Sequence, residues 1–508
     1  MRGELEEKVN KYVENQLRDY IPSDVRAPKV IHDTILGSNL FKPHEIAVLD
    51  LPIIQRLRRI KQVDLVPLVF PSGNHNRFEH TLGVTVIAEQ LASAVYRRID
   101  EGKKEGIKKY KKIKFERDYV LDNVRMAAIM HDCGHGPFSH MSEQVYCQFE
   151  DIIEAKRNNK ILSGASPHEI LSYLIVTSDA FKEFFYNKIA KKYEINIDLD
   201  LVGEMIVGFV NSGDRAFLIE MINGAFDADK IDYIQRDSHF TGIKMVLDTH
   251  RLFHTVDIIS DDTDKIRLSV DLSGVATLEQ IIFNKMMLFS TVYHHHKVRA
   301  AESLFKSVFE EVKTNNIKLY DMEFSSSADF LYLTDEDIFS LARNNQFLQI
   351  SKLVNDLSKR NLPKRAMVIS AKTIEKTNLD KLQKITSFCK EPLNIIAVKK
   401  AIAERAQELG SDITEHDIWI DIPDAPSFKE GVKWPIKSEG EEKEYVRLRD
   451  LFPVDDWVRA FSENKWKGYI FTRTQYREVV HKAARYVFEE VFDAKFNDFS
   501  RYLCKMDS

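Results

Sequence analysis

The chain has 508 residues, 44% of them hydrophobic and 30% charged, with 19 Gly and 14 Pro, a composition that supports a sizeable core and excludes disordered, collagen-like and low-complexity classes. At roughly 150 residues per domain the length corresponds to about three structural units, or one large domain with insertions. Lys plus Arg number 73 against 78 Asp plus Glu, a formal charge of -5, so no global basic field draws the molecule to nucleic acid or anionic lipid, and any anion site is local. No run approaches the ~18 to 20 apolar residues of a membrane span. Glu4, Glu6 and Glu7 stand where a signal peptide needs an apolar stretch. The cysteines Cys133, Cys147, Cys389 and Cys504 form no CxxC pair, which fits a reducing compartment and leads to the expectation of a cytoplasmic protein.

Residues 1–23 read as an extension. From 24 to 117 the pattern is mainly helical: Ile46, Leu49, Ile53, Ile54 and Leu57 recur at spacings of three and four, and residues 79–94 repeat this. Leu65 to Phe70, closed by Pro71-Ser72-Gly73, reads as a strand or loop. Residues 101–118 hold eight Lys or Arg and few aliphatics, the composition of an exposed connection between core helices, or of a polyanion patch. Helices are expected over 123–130, 168–177 and 227–237, and a long amphipathic one over about 277–312. The helical pattern continues from 325 to 357. Short strands rich in Val and Ile follow at 365–370 and 417–422, with a loop over 423–442 and a final helix over 474–492. The expected organisation is a helical domain over 24–361 and a smaller α+β region over 362–508.

Histidine carries the chemistry. His131-Asp132 ends an apolar helix and is followed at once by Gly134, Gly136 and Pro137, so imidazole and carboxylate, ligands suited to a borderline or hard divalent cation, are delivered to a turn. His80 shares a helix face with Val84 and Ile87, which points it inward. Asp229, Tyr233 and Asp237 fall at i, i+4 and i+8 of another helix.

Together His80, His131, Asp132 and Asp229 match the H...HD...D signature of the HD superfamily of metal-dependent phosphohydrolases. The stretches QRLRRIKQ (55–62), FPSGNHNRFEHTLG (70–83) and HDCGHGPFSH (131–140), continued by 227–237 and 294–299, resemble the deoxynucleoside triphosphate triphosphohydrolases of the group that contains the mammalian SAM-and-HD-domain enzyme and its bacterial relatives. The resemblance runs from about 24 to 370 and more loosely beyond. It implies a mainly α fold, an HD-domain helical core with a smaller C-terminal α+β region, and hydrolysis of a dNTP to deoxynucleoside and tripolyphosphate; another HD phosphohydrolase activity, a phosphodiesterase or 5'-nucleotidase, is the alternative. His80, His131, Asp132 and Asp229 would then hold a divalent metal (Mn, Mg, Fe or Zn). Arg77, Lys230 and Tyr233 would contact the triphosphate, Arg77 with a planar fork able to take two phosphate oxygens. His135, His140 and His168 would lie beside the α-phosphate, with His140 as proton donor to the leaving oxygen. Gln62 and Asp237 would recognise the sugar.

Two departures from the family pattern stand out. The ring that discriminates the sugar corresponds to Tyr293 or His294, depending on a one-residue register in Tyr293-His294-His295-His296-Lys297, and Lys285 stands near a common arginine phosphate contact. Three successive histidines on a helix point about 100° apart and do not converge on one ion. By resemblance the partners are the dNTP substrate, activating nucleotides between subunits, and further copies of the chain in a dimer or tetramer. Nucleic acid is compatible but not required, and no membrane is involved.

Overall fold

The computed structural model describes residues 3–343, 347–375, 379–423, 431, 433–438 and 445–506. Helix accounts for 61% of the chain and strand for 10%, so the mainly α expectation, with a smaller C-terminal region of short sheets, is what the chain adopts. The described residues form two compact units, one of residues 1–288, 312–340 and 428–453, the other of 289–311, 341–427 and 454–508.

The first unit is organised on the long helix Arg77–Lys104. Asn76 caps it by accepting from Glu79 N while its own amide donates to Glu79 Oε1, a reciprocal pairing that satisfies orphan groups of the first turn. Its inward face, including His80, Val84, Ile87, Ala88, Leu91 and Val95, is buried and packs on the helices Arg117–Met130 and Ala228–Thr241. Arg117–Met130 is buried continuously from Asn123 to Met130, and its core position explains why it needs no polar stripe near its end. The turn that follows is narrow. A Cβ on Gly134 would overlap His168 O and Ser172 N of the helix Pro167–Thr177, so only glycine lets these segments approach.

Elsewhere in this unit the structure departs from expectation in ways that have local causes. Residues 29–41 form a two-stranded antiparallel hairpin, Lys29–Asp33 with Gly37–Phe41, inside a segment that reads as helical. Its turn needs Gly37 at φ +72°, and each strand is only five residues long, too short for a period of two to stand out. Leu65 to Phe70 resolves as a 3-10 turn at Val66–Leu68. The basic stretch is a connection, and it is tied down: Tyr110 Oη donates to both oxygens of the buried Asp257 at 2.7 and 2.9 Å, Lys109 Nζ donates to Ile258 O at 2.8 Å, and Lys112 pairs with Asp264 at 2.8 Å. Asp257 belongs to strand Val256–Ser260, antiparallel to Ile266–Asp271, which in turn runs parallel to Pro435–Lys437; Tyr445–Arg447 completes the sheet. Residues 435–437 therefore form a strand within the expected loop 423–442, of which 424–430, 432 and 439–442 lie outside the described residues, as do 344–346 of the expected helical stretch.

The expected single helix over about 277–312 is two. Val275–Leu288 and His296–Thr314 are separated by a π-type turn at Phe289–Tyr293, an irregularity that often marks functional positions. Ile281, Ile282, Met286 and Leu288 are all buried, so they serve the chain's own packing. In the second unit, strands Lys364–Ile369 and Ile418–Asp421 appear at the expected places, both antiparallel to a central strand, Gly468–Thr472. Ile369, Ile402, Ile470, Val480 and Phe488 form part of the core between this sheet and the helices Pro392–Glu408 and Arg477–Phe492. No helix among the described residues is long and apolar enough to cross a membrane.

Candidate active site

Three elements of the first unit bring the expected metal ligands together. The Arg77 helix supplies His80, the end of Arg117–Met130 supplies His131 and Asp132, and the helix Ala228–Thr241 supplies Asp229. Ligand atoms of His80, His131 and Asp132 all lie within 4.8 Å of one another, and Asp229 Oδ1 is 2.9 Å from His80 Nε2. The tautomers are set by the outer nitrogens. His131 Nδ1 donates to Ala128 O at 2.7 Å and His80 Nδ1 to Asp232 Oδ2 at 2.7 Å, which turns both Nε2 atoms inward. Both Nε2 atoms are buried, that of His131 without a hydrogen bond and that of His80 against the Asp229 carboxylate. Buried imidazole nitrogens facing carboxylates and backed by carbonyl and carboxylate are the donor set a divalent cation needs.

The electrostatics agree. Burial alone would depress His80, but Asp229, Asp232 and Asp132 outweigh it and push its pKa up to about 10, the response of a base set in concentrated negative charge. Asp132 is fully buried, yet Arg77, His131 and His135 hold it well below the usual carboxylate range. Asp229 is likewise lowered against its burial, chiefly by His80.

Beside this group lies a second. His135, His140, Glu143 and His168 have ligand atoms within 4.8 Å of one another, and the His135 and His168 rings stack at 3.9 Å. Glu143 Oε2 takes both His140 Nδ1 at 3.1 Å and His168 Nδ1 at 3.0 Å. Burial and Arg77 drive His135 well below the ordinary imidazole range, so it is neutral. His168 is also buried, but Glu143 overrides that and raises it to about 9. His140 is the exposed member, 57% accessible, with its Nε2 3.4 Å from Arg77 Nη2.

Arg77 joins the two groups. Its Nη1 donates to Asp132 Oδ2 at 2.6 Å and its Nε to Ser139 Oγ at 2.7 Å. Two of its five N–H donors are thus committed to the protein, and Nη2 is the nitrogen turned toward His140. Ser139 Oγ in turn donates to Lys61 O at 2.5 Å. Phe138 and Ser139 have φ of +51° and +49°, a left-handed pair of non-glycine residues that costs energy and persists only where the surroundings impose it. Asp335 is one such constraint, accepting from Phe138 N at 2.6 Å and Lys61 N at 2.8 Å.

Lys230 Nζ is held by Asp227 Oδ2 at 2.6 Å and Gly224 O at 2.8 Å. Tyr233 is half-buried on the helix that carries Asp229. Gln62 is buried with Oε1 lacking a hydrogen bond, and Asp237 is buried against His75. Tyr293 and His294 belong to the second unit, both edge-on to Phe289; burial and Arg299 lower His294 to about 4. Glu143, Asp232, Ser139 and Asp335 were not legible as site residues. Only Glu143 gave a signal, its i+3 spacing from His140 on one helix.

The chain matches two family profiles, the HD domain over residues 77–237 and the HD associated region over 247–495. It is 27% identical over 453 residues to an uncharacterized protein of Methanocaldococcus jannaschii, covering 87% of this chain and 79% of that protein. It is 27% identical over 425 residues to the deoxynucleoside triphosphate triphosphohydrolase SAMHD1 of Bos taurus, covering 78% of this chain and 66% of that one. For the SAMHD1 homolog of Dictyostelium discoideum the figures are 25% over 354 residues, 67% and 60%, so the chain spans less than two thirds of that relative. The HD profile begins at Arg77 and ends at Asp237, enclosing all four converging ligands, and the chain belongs to the HD-domain phosphohydrolase family.

Proposed function

We propose that the chain hydrolyses deoxynucleoside triphosphates to deoxynucleoside and tripolyphosphate at a divalent metal held by His80, His131, Asp132 and Asp229. The observation that carries this is the juxtaposition of an inward-facing ligand set with a separate histidine–glutamate group, Arg77 standing between them. A bound divalent ion supplies Lewis acidity at a phosphoryl oxygen and lowers the pKa of a coordinated water; Mn, Mg, Fe and Zn all suit the donor set.

The chain's own residues do the rest. Arg77, fixed by Asp132 and Ser139, offers Nη2 to a non-bridging phosphate oxygen. His140, oriented through Nδ1 by Glu143, presents Nε2 to the departing sugar oxygen as its proton donor, the orienting logic of a carboxylate–imidazole pair. His168 adds positive charge beside the same carboxylate, and neutral His135 packs between. Lys230 reaches the phosphate tail by exchanging Asp227 for it, with Tyr233 alongside, while Gln62 and Asp237 take the sugar. The SAMHD1 relatives, named as dNTP triphosphohydrolases, support the substrate class. Self-association is part of the reading: Val246, Leu272 and Phe283 are 76%, 62% and 48% exposed in the first unit, where Asn284 Nδ2 donates to Val246 O.

Incubating the purified protein with each dNTP and Mn or Mg and separating the products tests the proposal. Deoxynucleoside and tripolyphosphate are expected. Pyrophosphate, inorganic phosphate or cleaved oligonucleotide as the main product would instead assign one of the other HD phosphohydrolase activities.

A further inference from the structure

His75 lies between the two residues proposed to recognise the sugar and touches both. Its side chain is fully buried, and Nε2 is 2.8 Å from Asp237 Oδ1. Its ring stacks on Phe240, centroids 4.6 Å apart and planes 16° from parallel. Phe240 is three residues beyond Asp237 on the same helix, so stacking and hydrogen bond together fix the imidazole against one helix face. The backbone carbonyl of the same residue accepts from Gln62 N at 3.1 Å.

As plain core packing this residue is a poor choice. Its Nδ1 is buried with no hydrogen-bond partner, a desolvation cost that a phenylalanine stacked on Phe240 would avoid. What a phenylalanine would not supply is the donor to Asp237. A carboxylate only accepts, so Nε2 carries the proton and its direction sets the carboxylate's orientation.

We propose that His75 is the positioning residue of sugar recognition: its ring sets the Asp237 carboxylate, and its backbone sets Gln62, in one register for the 3'-hydroxyl of a deoxyribose. The proposal rests on the dNTP reading above. Selectivity that depends on a buried polar group meeting a substrate hydroxyl is large when the group is rigid and is lost when it turns away.

The test compares kcat/KM for dATP and for 2',3'-dideoxy-ATP, which lacks that hydroxyl, in the full-length protein and in His75→Phe, His75→Asn and His75→Gln, with thermal unfolding and metal content measured for each. Glutamine places an amide donor near the position of Nε2, whereas asparagine is too short to reach Asp237. The dATP preference is expected to fall by roughly tenfold or more in the Phe and Asn variants, through dATP alone, and to recover in Gln. If His75→Phe does not fold, the Asn and Gln pair decides. Equal losses on both substrates, or an unchanged preference in Asn, would overturn the role of His75 while leaving the dNTP reading standing. Failure of the unsubstituted protein to hydrolyse any dNTP would remove both.

Discussion

Asp232 Oδ2 lies 2.7 Å from His80 Nδ1, on the side of the imidazole away from the other ligands. The same carboxylate takes Arg236 Nε at 2.8 Å and Nη2 at 3.0 Å, and Arg236 reaches on to Asp33 at 2.9 Å. An ion-paired chain from the hairpin to the metal ligand thus fixes the ring's tautomer and rotation. Asp232→Asn is expected to weaken divalent-ion affinity by about 10- to 100-fold with the helical fold retained. Titration of the metal-free protein with Mn, followed by calorimetry, measures this; unchanged affinity would show that His80 is oriented by packing alone.

Gly83, three residues beyond His80, lies under this chain. A Cβ there would overlap both Asp232 Oδ1 and Arg236 Nη2, and neither can retreat because both are buried in the ion-paired chain. Gly83→Ala should cost about 1–3 kcal/mol of stability and lower metal affinity at the same time. Gly164→Ala, where a Cβ would meet nothing within 4 Å, is the control. Denaturant unfolding of both variants checks the contrast.

Asp335 gives a pH dependence of a defined sign. Burial raises its carboxyl to about 7, against the two backbone N–H bonds it accepts and the nearby Lys61 and Arg56 charges. Between its ordinary value near 3.8 and about 7 the folded protein holds a proton that the unfolded chain has lost, so this group's contribution to stability declines as pH rises across that window and is level above it. Asparagine cannot titrate, and it sets an NH2 against one of the two amide donors. Asp335→Asn should therefore be destabilised relative to the parent by about 1–3 kcal/mol near pH 5, with the gap narrowing toward pH 8. Urea midpoints at several pH values measure it; a gap that widens with pH would mean that the carboxylate is stabilised in its charged form.

Legibility followed the range of the interaction. His131, Asp132 and His80 were readable because each is marked by its own helix: an apolar run ending in Gly-rich sequence for the first two, an inward heptad-like position for the third. Asp229 was readable only as part of the four-residue pattern. Asp232, Ser139 and Asp335 were not, because their roles lie in contacts across 62 to 274 residues or between neighbouring helices, and nothing in their flanking sequence distinguishes them from surface polar residues. The fold shows the same division. Strands 365–370 and 417–422 carried Val and Ile runs, whereas the central strand Gly468–Thr472 begins with Gly, directly after charged Lys467, and is a strand because two partners pair with it. The break at Phe289–Tyr293 could not be read, since no Gly or Pro marks it in FSTVYHHH (289–296).

The pairing of Glu143 with His140 and His168 makes the last prediction. Glu143 is held well below the usual carboxylate range by His168 and His140 despite its burial, and His168 is raised to about 9. A carboxylate with a lowered pKa stabilises the fold above its ordinary value near 4.5, and a raised imidazole stabilises it below 6.5, that contribution fading as pH climbs through 9. Both halves are complete only between those two ordinary values. Glu143→Gln removes the largest charge that lifts His168 and leaves burial to act against the weaker pull of Glu169 and Asp132, so His168 should titrate well below its value near 9. Carbon-resolved NMR titration of histidine-labelled protein reads this without reference to catalysis. The kcat–pH profile reads its consequence: with His140 no longer oriented and His168 neutral at pH 8, hydrolysis by the variant should fall by about 100- to 10,000-fold, the range expected for losing an oriented proton donor. A His168 that still titrates near 9 in Glu143→Gln would place the source of its charge stabilisation elsewhere in the site, with Asp132 and Glu169 the remaining acidic neighbours.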